Sequence, residues 1–259
     1  MSVTLDKKRI LVTRPKLQAG YLCELITANG GQVIAFPTIE IQPVKDPDKI
    51  LVRSNALSEY DFIVFVSRNA VNMAFEHYLK PAGLPADLKV FAIGAGTAEV
   101  LYNLNIKDVI HAGVHADSET LLSFPEMQKE TLDGKKALII RGVGGREYLA
   151  DNLRKRGASV DYAEVYERCL PEYDVKDSHK IWQDIKPDAI VITSNDGLTN
   201  LLRLTLETDQ SQLFNTPLVL MSARSDSLAK ESGFVSDTSI AINKSDEGLL
   251  LALLDLVGE

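Results

Sequence analysis

The sequence predicts an α/β protein made of two copies of one module, each a parallel sheet with helices on both faces. Three observations carry this. Around residues 138–166, a β-rich apolar run (Ala137 to Ile140) meets a glycine-rich turn, Gly142 to Gly145. A helical pattern with Leu149 and Leu153 follows, then a strand from Val160 to Tyr166; strand, turn, helix, strand is a βαβ unit. The second observation is an echo of that unit at an offset of 127 residues. Ile10–Arg14 lies under Ala137–Arg141, Gly30 under Gly157, Ile39-Glu40 under Tyr166-Glu167, Asp61–Val64 under Asp188–Val191, and Ser67 under Ser194. With one extra residue, Gly94 falls on Ser222, Thr97 on Ser225 and Glu119–Leu122 on Glu247–Leu250. A near-constant offset of this length marks an internal repeat. Finally, strands alternate with helices through both halves, the pattern of parallel sheets covered on both sides.

Taken in order, Arg9–Thr13 reads as a buried strand and Lys16–Asn29 as a helix that Gly30-Gly31 ends. Gln32–Val44 is one long extended run with Pro37 and Pro43, and its repeat partner Ser159–Pro171 is equally long. Both exceed an ordinary strand of about 5–6 residues, which suggests paired segments crossing between domains. Asp46–Leu57 is expected to be a helix, Phe62–Val66 a central strand, and Asn69–Leu79 a helix capped by Ser67. Val90–Ile93 is a strand, Ala98–Leu104 a helix, Val109-Ile110 a short strand, and Ser118 the cap of a further helix. Arg154, Lys155 and Arg156 before Gly157 mark a helix carboxyl end. The second half repeats the order. Ile181–Ile185 is helical, Ala189–Thr193 a strand, and Ser194 caps a helix to Leu206. Leu218–Met221 is a strand, Ser225–Ser232 a helix, Val235–Ile240 a strand and Asp246–Val257 the last helix.

Composition narrows the function classes. At 259 residues two domains are expected. A net charge of −8 argues against a nucleic-acid or anionic-membrane partner. Two cysteines, Cys23 and Cys169, form no disulfide framework, and four histidines (His77, His111, His115, His179) show no metal-ligand spacing. Met1–Arg9 holds no apolar signal region and no run approaches about 18 apolar residues, so a cytoplasmic protein without a membrane span is expected.

The candidate site residues gather at predicted strand carboxyl ends, where parallel α/β sheets bind ligands. Ser67, Thr97, Ser194 and Ser225 carry hydroxyls there. Helix capping explains each alone. Four such turns in twin modules also suit an anionic ligand, because helix amino termini offer N–H groups and a positive dipole end. Arg14 and Arg141 occupy equivalent places after the first strand of each module. Either is a solvated surface side chain or a carboxylate ligand. Gly142-Val143-Gly144-Gly145 suggests a dinucleotide turn, but Glu147 stands where the third glycine belongs and would repel a pyrophosphate. The first copy, Arg14-Pro15-Lys16-Leu17, lacks glycine entirely. A tight turn admitting substrate or a neighbouring strand is the better reading of Gly142 and Gly144. Tyr166, in a crossover strand where its repeat partner is Ile39, reads as packing when taken alone.

Together these residues resemble the uroporphyrinogen-III synthase family. The matching pieces are Ile10–Pro15, Phe36-Pro37, Phe91–Gly94 with Thr97, Arg141-Gly142-x-Gly144-Gly145-Arg146-Glu147, Arg156–Ala158, Tyr166-x-Arg168, Thr193-Ser194 and the Leu-rich final helix. They span essentially the whole chain in order. Ser222 and Ala223 depart from the Gly-Pro that often stands there. The resemblance implies a bilobed monomer of two flavodoxin-like α/β/α lobes. One lobe is discontinuous, residues 1–37 with 168–259, and the other is 38–167, joined by linker strands 36–44 and 163–171. It also implies the reaction: hydroxymethylbilane loses its hydroxyl, ring D inverts and the macrocycle closes to uroporphyrinogen III, without cofactor or metal. Tyr166 then becomes the acid that assists hydroxide departure, since a phenol stays protonated at neutral pH. Arg14, Ser67, Thr97, Arg141, Gly142, Gly144, Ser194 and Ser225 become substrate contacts. The competing reading is a non-catalytic bilobed binding protein for a small polyanion, which a turnover assay separates from the enzyme.

Overall fold

The computed structural model describes residues 3–114 and 117–259, and in that range every side chain except those of Lys49, Leu51, Val52, Ser54 and Ala82. His115, named above, lies outside it. Along the chain, β1 (Arg9–Val12) leads through α1 (Lys16–Ala28) to β2 (Gln32–Ala35). Then come β3 (Glu40–Pro43), α2 (Asp48–Asn55), β4 (Phe62–Phe65), α3 (Arg68–His77), β5 (Lys89–Ala92), α4 (Ala95–Asn103) and β6 (Val109–His111). Two short helices, α5 (Ser118–Leu122) and α6 (Lys129–Leu132), precede β7 (Lys136–Gly142), α7 (Tyr148–Lys155) and β8 (Ser159–Cys169). The rest runs α8 (Val175–Lys180), a π-helical turn over Ile181–Ile185, β9 (Ala189–Ile192), α9 (Asn195–Leu204), α10 (Gln210–Asn215), β10 (Leu218–Leu220), α11 (Ala223–Glu231), β11 (Thr238–Ile240) and α12 (Asp246–Val257).

The strands sort into two sheets, β11-β10-β9-β1-β2 and β3-β8-β7-β4-β5-β6. In the first, β1 runs parallel to β2 and β9, and β10 to β9 and β11. In the second, β4 runs parallel to β5 and β7, β5 to β6, and β7 to β8. The chain divides accordingly into two compact units, residues 1–40 with 169–259, and residues 41–168. The order β6-β5-β4-β7-β8 matches β11-β10-β9-β1-β2 strand for strand. Each sheet therefore joins a strand from one repeat to strands from the other, β1 to β9 and β7 to β4.

The sequence explains why these strands sit centrally. β4 (FIVF) and β9 (AIVI) are apolar at every position and buried throughout, as strands with both faces covered require. Each is also clamped at its start by the aspartate that precedes it. Asp188 accepts the Arg9 main-chain N–H at 2.7 Å, and Asp61 accepts that of Lys136 at 2.8 Å. Both the aspartates and their partners are related by the 127-residue offset. Helices complete the layers: α1 turns Ala19, Leu22 and Ile26 inward, and α12 buries Leu249, Ala252 and Leu253 in the same cluster.

Several elements differ from the reading of the sequence. The extended run Gln32–Val44 is two strands, β2 and β3, which belong to different sheets and are separated where Pro37 stands. The matching run is a single 11-residue strand, β8. Helix α4 starts at Ala95 with Gly94 as its cap, and α11 at Ala223 capped by Ser222. Asp117, not Ser118, caps α5, accepting the Thr120 N–H. β11 covers only Thr238–Ile240 of the expected Val235–Ile240. Among the described residues no helix is long and apolar enough to cross a membrane.

Candidate active site

In the unit of residues 41–168, three of the singled-out residues meet. The register between β7 and β8 passes from Arg141↔Glu164 to Gly142↔Tyr166, so β8 carries one residue more than β7 at that step. Such a bulge re-aims the side chain beyond it. It sets the Tyr166 ring flat against Gly142: a Cβ there would lie 2.5 Å from Tyr166 Cζ and 2.6 Å from Cε2. Only glycine admits the ring. Tyr166 is 2% exposed, its ring among the apolar side chains packed beneath α3. Its hydroxyl is 3.3 Å from Ser67 Oγ and accepts from Arg168 Nη2 at 3.5 Å. Ser67 is the amino-terminal cap of α3, taking the Ala70 N–H at 3.1 Å. Gly144 serves differently. Its φ of +72° is a conformation that side chains rarely adopt, while the space around it is open.

The arginines are not the open cations that their positions suggested. Arg141 is 6% exposed and lies between Glu147 at 2.9 Å and Glu164 at 3.2 Å. It also stacks on the Tyr162 ring, 4.3 Å from the centroid. The Tyr162 hydroxyl donates to Glu147, and this bond, with the Arg141 guanidinium behind it, holds the Glu147 carboxyl below the usual carboxylate range. Burial, and then the bond to Glu147, pushes the Tyr162 phenol up to about 12. Glu147, which excludes the dinucleotide reading, is thus the partner that neutralises Arg141. Arg14 is likewise mostly buried and paired with Asp246 in the first turn of α12. In both arginines Nε is buried without a hydrogen-bond partner among the described residues, out of reach of a ligand carboxylate.

Of the four hydroxyl turns, two cap helices. Ser194 takes the Gly197 N–H at 3.0 Å as Ser67 takes that of Ala70. Each cap satisfies one of the four N–H groups that a helix start leaves without an intrahelical acceptor. Thr97 and Ser225 do not cap; both are buried inside the first turns of α4 and α11, three residues after their caps. Ser225 Oγ donates to Asn195 Oδ1 at 2.8 Å and so ties the starts of α11 and α9 together. Arg14, Ser194 and Ser225 belong to the unit of residues 1–40 and 169–259. Arg168 was quoted in the sequence only as part of a motif; its spacing of two from Tyr166 on one strand was the signal that puts both on one face.

The fold and these turns define a class: α/β proteins of two parallel-sheet units with polar groups gathered at strand carboxyl ends. Comparison with known proteins makes it specific. The model of the uroporphyrinogen-III synthase HemD family matches residues 21–249. The uroporphyrinogen-III synthases of Salmonella typhimurium and Escherichia coli are each 33% identical over 246 residues, covering 94% of this chain and 99% of theirs. The crystal structure of the uroporphyrinogen-III synthetase of Helicobacter pylori has the same fold, with a TM-score of 0.62 at 17% identity over 96% of this chain and 99% of that one. The chain belongs to the uroporphyrinogen-III synthase family.

Proposed function

We propose that the chain is a uroporphyrinogen-III synthase, a cofactor-independent lyase that cyclises hydroxymethylbilane to uroporphyrinogen III with inversion of ring D and loss of water. The observation that carries this is the family match over nearly the whole chain. Tyr166 is the acid. Its phenolic proton passes to the departing hydroxyl, which leaves as water, and the bond broken is that between the terminal methylene carbon and oxygen. The α-carbon of ring D that already carries the bridge to ring C attacks that methylene and forms a spiro intermediate. Its bond to the old bridge then breaks, leaving the cation on the bridge carbon. The free α-carbon of the now inverted ring D attacks that carbon and loses the proton that returns to the phenolate. Atoms balance as substrate minus water. Two features support the role: among the described residues the Tyr166 hydroxyl has Ser67 and Arg168 as hydrogen-bond partners, and the bulge and Gly142 hold the ring in one place.

The remaining assignments follow from chemistry. The amino-terminal turns of α3, α4, α9 and α11, at Ser67, Thr97, Ser194 and Ser225, bind substrate carboxylates through main-chain N–H groups and positive dipole ends. Gly142 and Gly144 shape the turn beside Tyr166. Arg14 and Arg141 act by supporting the turns that follow β1 and β7, because their charges are already matched by Asp246 and by Glu147 and Glu164. The enzyme works as a cytoplasmic monomer on this small tetrapyrrole, without nucleic acid, membrane or metal. Incubation of the purified protein with hydroxymethylbilane, with the product isomers resolved chromatographically, tests the reaction. The type III isomer is expected in excess of the type I isomer that forms unassisted. Only type I product would leave a polyanion-binding protein as the reading. Light scattering of the same sample tests the monomer.

A further inference from the structure

We infer that Arg168 is the residue that grips a substrate carboxylate and so positions the bilane against Tyr166, an inference that rests on the synthase reading above. Tyr166 and Arg168 are two apart on β8 and share a face. The last β7 partner along β8 is Gly142, opposite Tyr166, so Arg168 lies beyond the stretch paired with β7, at the carboxyl edge where parallel α/β sheets bind ligands. Its guanidinium is 5.8 Å from the Tyr166 ring centroid, and Nη2 is 3.5 Å from the hydroxyl.

The charge of Arg168 is open, unlike those of the arginines at and just after β1, β4 and β7. Arg14 is paired with Asp246, Arg68 with Glu99, Arg141 with Glu147 and Glu164, and Arg146 with Glu119. Arg168 is exposed and, among the described residues, has no carboxylate within ion-pair distance. A guanidinium has five N–H donors in a planar fork that fits a carboxylate with two parallel bonds. The single long bond to the phenol leaves that fork open. A protein of net charge −8 repels a polycarboxylate at long range, so an uncompensated cation beside the reacting group counts for more than its number suggests. A carboxylate held on the exposed Arg168 brings its pyrrole to the end of the buried Tyr166 ring that carries the hydroxyl.

The test uses the full chain with Arg168→Gln and Arg168→Lys, and with Arg203→Gln on α9 as a control for loss of one exposed positive charge. Turnover of hydroxymethylbilane is measured across a salt series. Losing a charge-assisted bond is expected to raise KM by about 10-fold or more in Arg168→Gln and to flatten its salt dependence. Arg168→Lys should recover part of the KM, because it keeps the charge and loses the fork. kcat should fall less than in Tyr166→Phe, and Arg203→Gln should match the parent in KM and salt slope. An Arg168→Gln protein with the parent's KM and salt slope overturns the inference. Calorimetric titration with the polycarboxylate uroporphyrin separates this from failure of the reading itself. If the parent makes no type III product, the synthase reading falls, yet a 10-fold weaker uroporphyrin Kd in Arg168→Gln still assigns carboxylate binding to Arg168. Equal Kd values in the two proteins overturn it.

Discussion

At the scale of single residues, Tyr166 and Gly142 make one device. Removing only the hydroxyl, by Tyr166→Phe, keeps the ring on Gly142 and the buried packing. Turnover is expected to fall by roughly 10²-fold or more, the scale of a general acid. The melting temperature should fall little, since the two hydroxyl contacts are long, at 3.3 and 3.5 Å. The residual product should stay mainly type III, because the groups that hold the substrate remain. A folded Tyr166→Phe protein with near-normal turnover would take the acid's role from Tyr166. Gly142→Ala tests the same device from the other side. Its methyl group would collide with the ring at 2.5 Å, and neither β7 nor the packed ring can yield cheaply. Overpacking of this kind costs about 1–3 kcal/mol. Gly142→Ala should therefore lose stability and turnover together, read as a lower melting temperature and a lower kcat, whereas Gly144→Ala, strained in backbone only, should spare kcat. Part of this was legible beforehand. Tyr166 and the glycines were named from sequence, but the contact between them depends on a one-residue bulge that no periodicity records. The pairing of Arg141 with Glu147 was hidden for a different reason: a charge reads as free until its neighbours in space are known.

At the scale of elements, strand centres were easy to read and helix starts were not. β4 and β9 declare themselves through unbroken apolar runs, and α12 through its Leu-rich run. The sequence sets the start of α4 three residues late and that of α11 two residues late because Thr97 and Ser225 look like start signals, while Gly94 and Ser222 hold the extended backbone that a cap requires. The sequence relates the aspartates before β4 and β9 as repeat partners, but their clamps on the other repeat's first strand need the sheet order. Those clamps carry a pH signature. The Lys135 side chain and the Lys136 N–H lower the Asp61 carboxyl below its ordinary 3.8. Burial alone would raise the Asp188 carboxyl; the Arg9 side chain and N–H outweigh it and hold it below that value too. A carboxyl depressed in the folded state stabilises the fold fully above its unfolded value, and that stability is lost as pH falls through the folded one. Melting temperature is therefore expected to drop below about pH 4. Asp61→Asn and Asp188→Asn should melt lower at neutral pH and lose less on acidification than the parent. A parental pH profile in both variants would remove the clamps from the account.

At the scale of the whole molecule, the repeat hides a swap, and the swap makes the two units unequal as folding problems. The unit of residues 41–168 is continuous, and its two apolar clusters draw only on its own residues, such as Ile63, Leu138 and Val165 in one and Val64, Phe91 and Leu153 in the other. The other unit is discontinuous. β1 is interior to its sheet, between β9 and β2, and Ile10, Leu11, Val12, Leu22, Ile26 and Phe36 all enter its clusters. Burying each such side chain contributes about 1.5–3 kcal/mol. Together they rival the whole net stability of a domain, about 5–15 kcal/mol. Residues 41–168 expressed alone are expected to melt cooperatively. Residues 169–259 alone should not, because β9 has lost a central partner and its apolar face a cover. Trp182, the chain's one tryptophan, reports this directly: it is fully buried in the cluster that contains Leu11 and Phe36. In the isolated fragment its fluorescence should be red-shifted as in a solvated indole, and adding a peptide of residues 1–40 should shift it back to the blue and restore a cooperative melt. A 169–259 fragment that melts cooperatively with a blue-shifted Trp182, and ignores the peptide, would show that the amino-terminal strand is dispensable to that unit.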